Sequence, residues 1–443
     1  MAEPLKNIYT REYVERLATE LIAAGGELVE DDFCSAAMGD GWESLELKER
    51  TTRLRKCLYE FLPSTYQDAL PIILKAANTF GGYQGMFFPE YVEAYGLDHW
   101  EDSMAALEVL TIYSSAEFAI RAFLEKDPLR AQQQMLLWSE HDNEHIRRLS
   151  SEGIRPRLPW ASQLIYFKKD PYPVLKILEN LNKDESLYVR KSVANNLNDI
   201  SKDHPELAIK TAKKWIKSKQ PHTQWIVKHG LRTLLKAGEP SALKIFGHEG
   251  SDSFECEAFE LKQKSVSFGE GLSFDFTIDI RKQGPFRFEY ALYFLKKNGT
   301  HTRKVFKIAE KELEAGVYEI DKVHPFKKIN TRVHYEGLHF VEPIVNGVSC
   351  GKKPFFLWLK KPDYMVYMLL TVKNTIYTGI TTDINRRFDE HLSGVKGAKY
   401  TKANAPKELL YIEAAENRSE AQKREAAIKK LSRSKKEAMS LLK

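Results

Sequence analysis

The stretch SLYVRKSVANNLNDISKDHP, Ser186–Pro205, sets the architecture of this 443-residue chain. Its segment YVRKSVANNL, from Tyr188, aligns with HIRRLSSEGI from His145 and WIVKHGLRTL from Trp225, at offsets of 43 and 37 residues. A further helical segment precedes each later copy, VLKILENL before the second and PELAIKTAKKWI before the third. Helix pairs recurring about every 40 residues stack into a solenoid, each pair burying its apolar face against the next and leaving a concave surface. Basic residues recur on the second helix of each pair, at Arg147, Arg190 and Lys228, in position to line one side of that surface and follow a curved, charged ligand.

Upstream, residues 1–140 also read as helices. YTREYVERLATELIAAG opens on Thr10 as N-cap, repeats apolar residues at three and four, and stops at Gly25 and Gly26. SMAALEVLTIYSSAEFAIRAFLEKDP reads the same way and ends ahead of Pro128. Past GHEGSDSFECEAF the period becomes two. LSFDFTIDIR, FRFEYALYFLKK, RKVFKIAEKEL, GVYEIDKVHPF and TRVHYEGLHFVEPIVNG alternate over residues 254–358 between Gly and Asn turns, the pattern of an antiparallel β-sandwich. It holds no evident catalytic constellation and reads as a spacer or clamp, with DNA contact as the alternative. In the tail, MVYMLLTV and TIYTGI form a hairpin through Lys373 and Asn374. A helix from Ile384 to His391 follows, and a second spans RSEAQKREAAIKKLS. The expected fold class is multidomain: an all-α HEAT-like solenoid over 1–248, a β-sandwich over 249–360 and a small α+β domain over 361–443.

The net charge of +6 is unevenly placed. Residues 364–443 carry 16 Lys and Arg against 9 Asp and Glu, and residues 141–250 carry 20 against 12. Two separate positive segments point to a polyanion touched at two places. No apolar run approaches the roughly 18 residues of a membrane span, and the start has no signal-like apolar region, so a cytoplasmic protein without membrane contact is expected. Cys34, Cys57, Cys256 and Cys350 lack close pairs, which indicates neither a zinc cluster nor a disulfide scaffold. Without heptads or a long exposed apolar helix, a monomer is the expectation.

In IRRLSSEGIRPRLPW, Ile146–Trp160, Glu152 stands among Arg148, Arg155 and Arg157, and Asp199 lies near the end of the helix that carries Arg190 and Lys191. Such acids commonly do no more than pair with basic neighbours. The alternative is that carboxylates at matching repeat positions converge on the concave face, where flanking cations hold phosphates. There they could stabilise an electron-poor sugar carbon and orient a water, the chemistry that cuts a bond from deoxyribose to a base. Trp160 is then either core or an aromatic surface for the nucleotide.

On SSAEFAIRAF, IRRLSSEGIRPRLPW and SLYVRKSVANNLNDISKDHP, most of residues 1–245 resemble the AlkC branch of the AlkD-like DNA glycosylases, bacterial enzymes that excise alkylated bases. The resemblance implies functional acids at Glu117, Glu152 and Asp199 and an active-site aromatic at Trp160. The cations Arg147, Arg148, Arg155, Arg157, Arg190, Lys191 and Lys228 would then serve the DNA. It also implies cofactor-free release of cationic bases from double-stranded DNA, 3-methyladenine above all and 3-methylcytosine besides. A base that already bears positive charge leaves easily, so the carboxylates work on the sugar side and neutral uracil should be a poor substrate. Some AlkC-like proteins carry an immunoglobulin-like domain after the solenoid, which implies that the sandwich grips the duplex.

The tail contains YTGITTDINRRFDEH, Tyr377–His391, in which a Tyr-x-Gly is followed by Arg387 and, one helical turn on, His391. Phosphodiester cleavage wants an activated nucleophile, a cation over the phosphoryl oxygens and usually a metal. Tyr367 and Tyr377 fall on adjacent strands, and Glu425 is an isolated acid in a basic helix, suited to one Mg²⁺. With GAKYT and RSEAQKREAAIKKL, residues 364–440 resemble the GIY-YIG endonuclease superfamily, particularly its small stand-alone bacterial members. That resemblance implies catalytic Tyr367, Tyr377, Arg387 and His391, a signature Gly379 at the DNA and Glu425 as the Mg²⁺ ligand. VYM stands where the motif has Gly-Ile-Tyr, and YTG where it has Tyr-Ile-Gly. The combined expectation is a glycosylase whose tail nicks the backbone near the abasic product. The alternatives are a DNA-binding scaffold without chemistry and a nuclease that uses the solenoid only for targeting.

Overall fold

A computed structural model describes residues 3–250, 252–329, 332–394 and 399–440. Thr331 of the last alternating stretch, and Gly397 and Ala398 of GAKYT, lie outside the described residues. The chain forms two compact units, Met1–Leu234 and Leu235–Lys443.

The first unit is helical throughout. Thr10 caps the helix Arg11–Ala23 by accepting the Tyr13 N–H at 3.2 Å, and Val14, Leu17, Ala18 and Leu21 bury one face of it. The stretch from Trp100 to Lys126, read from sequence only as helical, is broken at Ser114. It forms two helices, Trp100–Tyr113 and Ile120–Lys126. Serine and threonine side chains take over the backbone at the break: the Ser114 hydroxyl donates to the Gly82 carbonyl at 2.9 Å, and the Ala116 N–H donates to Thr111 Oγ1 at 3.4 Å.

The three repeat copies fall on helices Glu144–Gly153, Leu187–Asp203 and Pro221–Gly230, the middle one packed between its neighbours. Val189, Val193, Leu197 and Ile200 are each at most 1% exposed. Burial of each such side chain stabilises the stack by about 1.5–3 kcal/mol. Gly153 has no room for a side chain, since a Cβ there would lie 2.5 Å from Ile120. The recurring arginines fasten the loop ahead of their own helix. Arg147 donates to the carbonyls of His141 and Asp142, and Arg190, one repeat later, to those of Asp184 and Glu185.

The second unit opens its β structure with nine strands: β1 Phe254–Leu261, β2 Ser265–Ser267, β3 Gly271–Ile280, β4 Gly284–Leu295, β5 His301–Leu313, β6 Gly316–Pro325, β7 Gly337–Val345, β8 Val348–Ser349 and β9 Lys353–Trp358. One sheet runs β1-β3-β6 and the other β2-β9-β7-β4-β5, with β8 paired to β7. All pairings are antiparallel except β2 with β9. Phe274, Phe276 and Ile278 of β3 meet Phe286, Phe288 and Leu292 of β4 in the core, as the alternation requires. Cys256 and Cys350, 94 residues apart, form a disulfide that the cysteine spacing did not indicate. Short spacing gave no sign of the bond because the sheet packing makes it, joining β1 to the segment between β8 and β9.

The tail adds β10 Tyr364–Thr371, β11 Ile376–Thr381 and β12 Pro406–Ala415 in the order β11-β10-β12. The first two form the expected hairpin, with Asn374 at φ 58° in its turn, and β12 goes beyond the elements read from sequence. β10 is two-faced. Val366 and Met368 pack on Ala421 and Ile428 of the helix Arg418–Lys429, while Met365, Tyr367 and Leu369 pack on Ile384 and Phe388 of the helix Ile384–Ser393. Among the described residues no helix is long and apolar enough to cross a membrane.

Candidate active sites

In the helical unit, acids and bases alternate along one chain of contacts. Arg148 ion-pairs with Glu117 and stands 3.6 Å from Glu152. The Arg155 guanidinium then bridges two helices, donating to Glu152 Oε1 at 2.7 Å and to Asp199 Oδ2 at 2.8 Å. Lys202 closes the series on Asp199 Oδ1 at 3.1 Å. The acids therefore do pair with basic neighbours, and the same pairing draws Glu152 and Asp199 to one point. Glu152 is 6% exposed and Asp199 1%. Burial alone would weaken the charge on Arg148 and Arg155, but the carboxylates more than offset it and both guanidiniums hold their protons more firmly than usual. Both arginines meet Glu152 at Oε1.

The loop after Glu152 is held by a residue the sequence reading passed over. Arg121, 3% exposed, donates to the carbonyls of Gly153 and Arg155 at 2.9 Å each and to that of Ser162. Burial lowers its pKa to about 10. At the far end of the loop Trp160 is 66% exposed with φ 67°, so it is not a core residue. A bulky residue in the left-handed region is strained. Lys48, from the helix Leu47–Phe61, secures it by donating to the Trp160 carbonyl at 2.8 Å, and this contact across 112 residues carries no signal in sequence.

The remaining cations differ in use. Arg157 makes a forked pair with Asp203 at 2.9 and 2.7 Å, Arg147 pairs with Asp184 at 2.7 Å, and Arg190 stands over Trp225. Lys191 is exposed on the Leu187–Asp203 helix and Lys228 on Pro221–Gly230. Beside Glu117 a cleft of about 360 Å³ opens, walled by Tyr83, Tyr113, Phe118, His145 and Tyr188.

In the tail, Tyr367 and Tyr377 project from the same face of the hairpin, with Tyr367 opposite Gly379 in register. The Tyr367 hydroxyl shares a hydrogen bond of 2.8 Å with His391 Nε2 and accepts one of 3.4 Å from Arg387 Nε. His391 Nδ1 meets Thr401 Oγ1 at 2.6 Å. Burial raises the Tyr367 phenol well above its usual range, partly countered by Arg387, and burial with Arg387 pushes His391 down to about 4. Tyr377 is partly exposed and stacks on Tyr400, with ring centroids 6.1 Å apart. A Cβ on Gly379 would lie 2.6 Å from the Tyr367 hydroxyl, so this glycine makes room for the phenol. Glu425 sits on the helix of the opposite face of the sheet and pairs with Lys429 at 2.8 Å. Among the described residues no three His, Cys, Asp or Glu side chains converge as a metal cluster.

The solved structure of the Pseudomonas fluorescens alkylpurine DNA glycosylase AlkC, bound to DNA containing an abasic site analogue, matches this fold with a TM-score of 0.75 and 37% identity, covering 80% of this chain and 99% of that one. The chain belongs to the AlkC family. It is also 46% identical over 344 residues to the uncharacterized protein YhaZ of Bacillus subtilis, covering 77% of this chain and 96% of the relative. Family models describe the same division: a DNA alkylation repair enzyme over residues 108–234, the C-terminal Ig-like domain of YhaZ over 255–358, and a GIY-YIG catalytic domain over 363–438. The last segment is 48% identical over 79 residues to a UPF0213 protein of Desulfotalea psychrophila, covering 18% of this chain and 72% of that protein. This AlkC-family chain thus joins a glycosylase-type helical fold and an Ig-like sandwich to a GIY-YIG domain.

Proposed function

We propose that the helical unit hydrolyses the N-glycosidic bond of cationic N-alkylated bases in double-stranded DNA, 3-methyladenine first and 3-methylcytosine in the same class. The observation that carries this reading is Arg155, which holds the buried carboxylates of Glu152 and Asp199 together. As the bond from C1′ to the base breaks, its electron pair cancels the charge on the departing base, and positive charge grows on the sugar. Glu152 and Asp199 stabilise that charge and orient the water that adds at C1′, one proton being released. Glu117 acts through Arg148 on Glu152, and Trp160 meets the nucleotide. Arg157, Lys191 and Lys228 serve the phosphates, while Arg147 and Arg190 chiefly anchor loops. The test is release of free base from alkylated duplex. Asp199→Ala should lower it by at least about a hundredfold, the loss of roughly 3 kcal/mol of transition-state stabilisation. Release at the wild-type rate, or uracil excision equal to that of 3-methyladenine, would remove the reading.

The tail, on this proposal, nicks the backbone near the abasic product. Tyr367 is sealed and its phenol resists ionisation, so Tyr377, nearer solvent, is the residue placed to assist the nucleophile, with Arg387 over the phosphoryl oxygens. Mg²⁺, when bound, supplies charge neutralisation at the scissile phosphate. Glu425 would be the carboxylate to hold it, because Mg²⁺ keeps most of its waters and takes only one or two carboxylates besides phosphate, but it would have to leave Lys429 and reach the scissile phosphate from the other face of the sheet.

A further inference from the structure

The tail does not hang from the sandwich on a tether. Only residues 359–363 separate β9 from β10, and the joint is packed: Phe356 and Trp358 of β9 enter the same apolar cluster as Tyr367, Ile384 and Phe388. Asn385 locks onto β2, the edge strand of its sheet. Its Oδ1 accepts the N–H groups of Lys264 and Ser265 at 2.7 and 3.0 Å, and its Nδ2 donates to the Ser265 carbonyl at 2.8 Å. A side-chain amide thus occupies the open backbone groups that another strand would otherwise take. The Lys264 ammonium lies 4.5 Å over the Phe388 ring. Asn385 and Phe388 belong to the same helix as Arg387 and His391, so the helix bearing the nuclease-type side chains is the one fastened to the sandwich.

We propose that sandwich and tail engage DNA as one rigid body, in which the seam at Asn385, and not the linker, fixes where the tail meets the duplex. The inference rests on the reading of the tail as a nuclease and of the sandwich as a DNA grip. Its consequence is that incision is registered to the sandwich's footprint, whereas a tethered nuclease would sample a range of phosphates.

The test uses the full chain with Mg²⁺ and an end-labelled duplex holding one tetrahydrofuran abasic analogue, the cut positions being read at nucleotide resolution. Three proteins are compared: wild type, a variant with about twelve Gly and Ser residues inserted between Lys360 and Lys361, and that insertion combined with Asn385→Ala. A free linker of that length reaches about 20 Å, or about six nucleotides along a strand. The insertion alone should leave the cut distribution unchanged, and the combined variant should widen it by about six nucleotides. A wider distribution from the insertion alone, or the same distribution from all three, would overturn the proposal. Absence of any cutting would remove the nuclease reading instead. The seam is then read by iron-EDTA tethered at Lys373→Cys in the exposed hairpin turn, where radical cleavage reports the same comparison of widths.

Discussion

Replacing Arg155 with Met keeps most of the side chain's volume and removes the guanidinium that bridges Glu152 and Asp199. All three are buried, at 6%, 6% and 1% exposure. Loss of one partner from a buried ion pair costs about 3–5 kcal/mol, because the orphaned charge has been stripped of water without compensation. Arg148 stays 3.6 Å from Glu152 and Lys202 stays 3.1 Å from Asp199, which favours the lower end, about 3 kcal/mol. The variant can relieve the crowding by taking up a proton. Its folded state then binds a proton that the unfolded chain lacks near neutrality, so the deficit should shrink as pH falls, by up to about 1.4 kcal/mol per pH unit. Urea unfolding of the helical unit at about pH 7.5 and about pH 5.5 reads both effects. Adding Glu152→Gln should recover much of the loss at the higher pH. A deficit under about 1 kcal/mol at both values, or an equal deficit at both, would refute the bridging account.

Trp160→Gly should leave stability unchanged or raise it by about 1 kcal/mol, since glycine accepts positive φ freely and little packing is lost, while base release falls. A large drop in melting temperature would contradict the strain. Lys48→Met should raise KM for alkylated duplex more than it lowers kcat, with partial rescue by Lys48→Arg, and kinetics at wild-type values would show the latch to be idle. His324 and His339 are each pushed down to about 4, by burial first, against about 6.5 unfolded. The unfolded chain takes up these protons first, so the sandwich should lose stability as pH falls from about 6.5 to about 4, by up to roughly 3 kcal/mol per histidine. A pH-independent unfolding midpoint across that window would count against it. With Mg²⁺, wild-type protein should convert alkylated duplex to strand breaks and Glu425→Ala should stop at the abasic product, whereas equal breakage would remove the nuclease role.

What could be read in the sequence was whatever repeats or alternates. The solenoid followed from three aligned ten-residue segments, and the sandwich from period-two strands such as β3, because both patterns are written in neighbouring residues. Contacts that close over long separations left no such trace. The Cys256–Cys350 bond, the hold of Lys48 on Trp160 and the parallel pairing of β2 with β9 each depend on the completed fold. Arg147 and Arg190 show where residue type is ambiguous. Their periodic recurrence was legible, but charge alone could not separate a phosphate contact from a guanidinium committed to loop carbonyls. Trp160 ran the other way: residue type favoured core, and the ring lies exposed on a left-handed backbone.

The alternating faces of β10 make tail folding and tail chemistry a single requirement. Sliding the strand by one position would aim Tyr367 at the helix that now receives Val366 and Met368, stranding a phenol among aliphatic groups and leaving His391 facing a hydrocarbon. Any molecule whose tail has packed correctly has thereby already pointed its tyrosine, and a misaligned one carries the cost of a buried phenol without a partner.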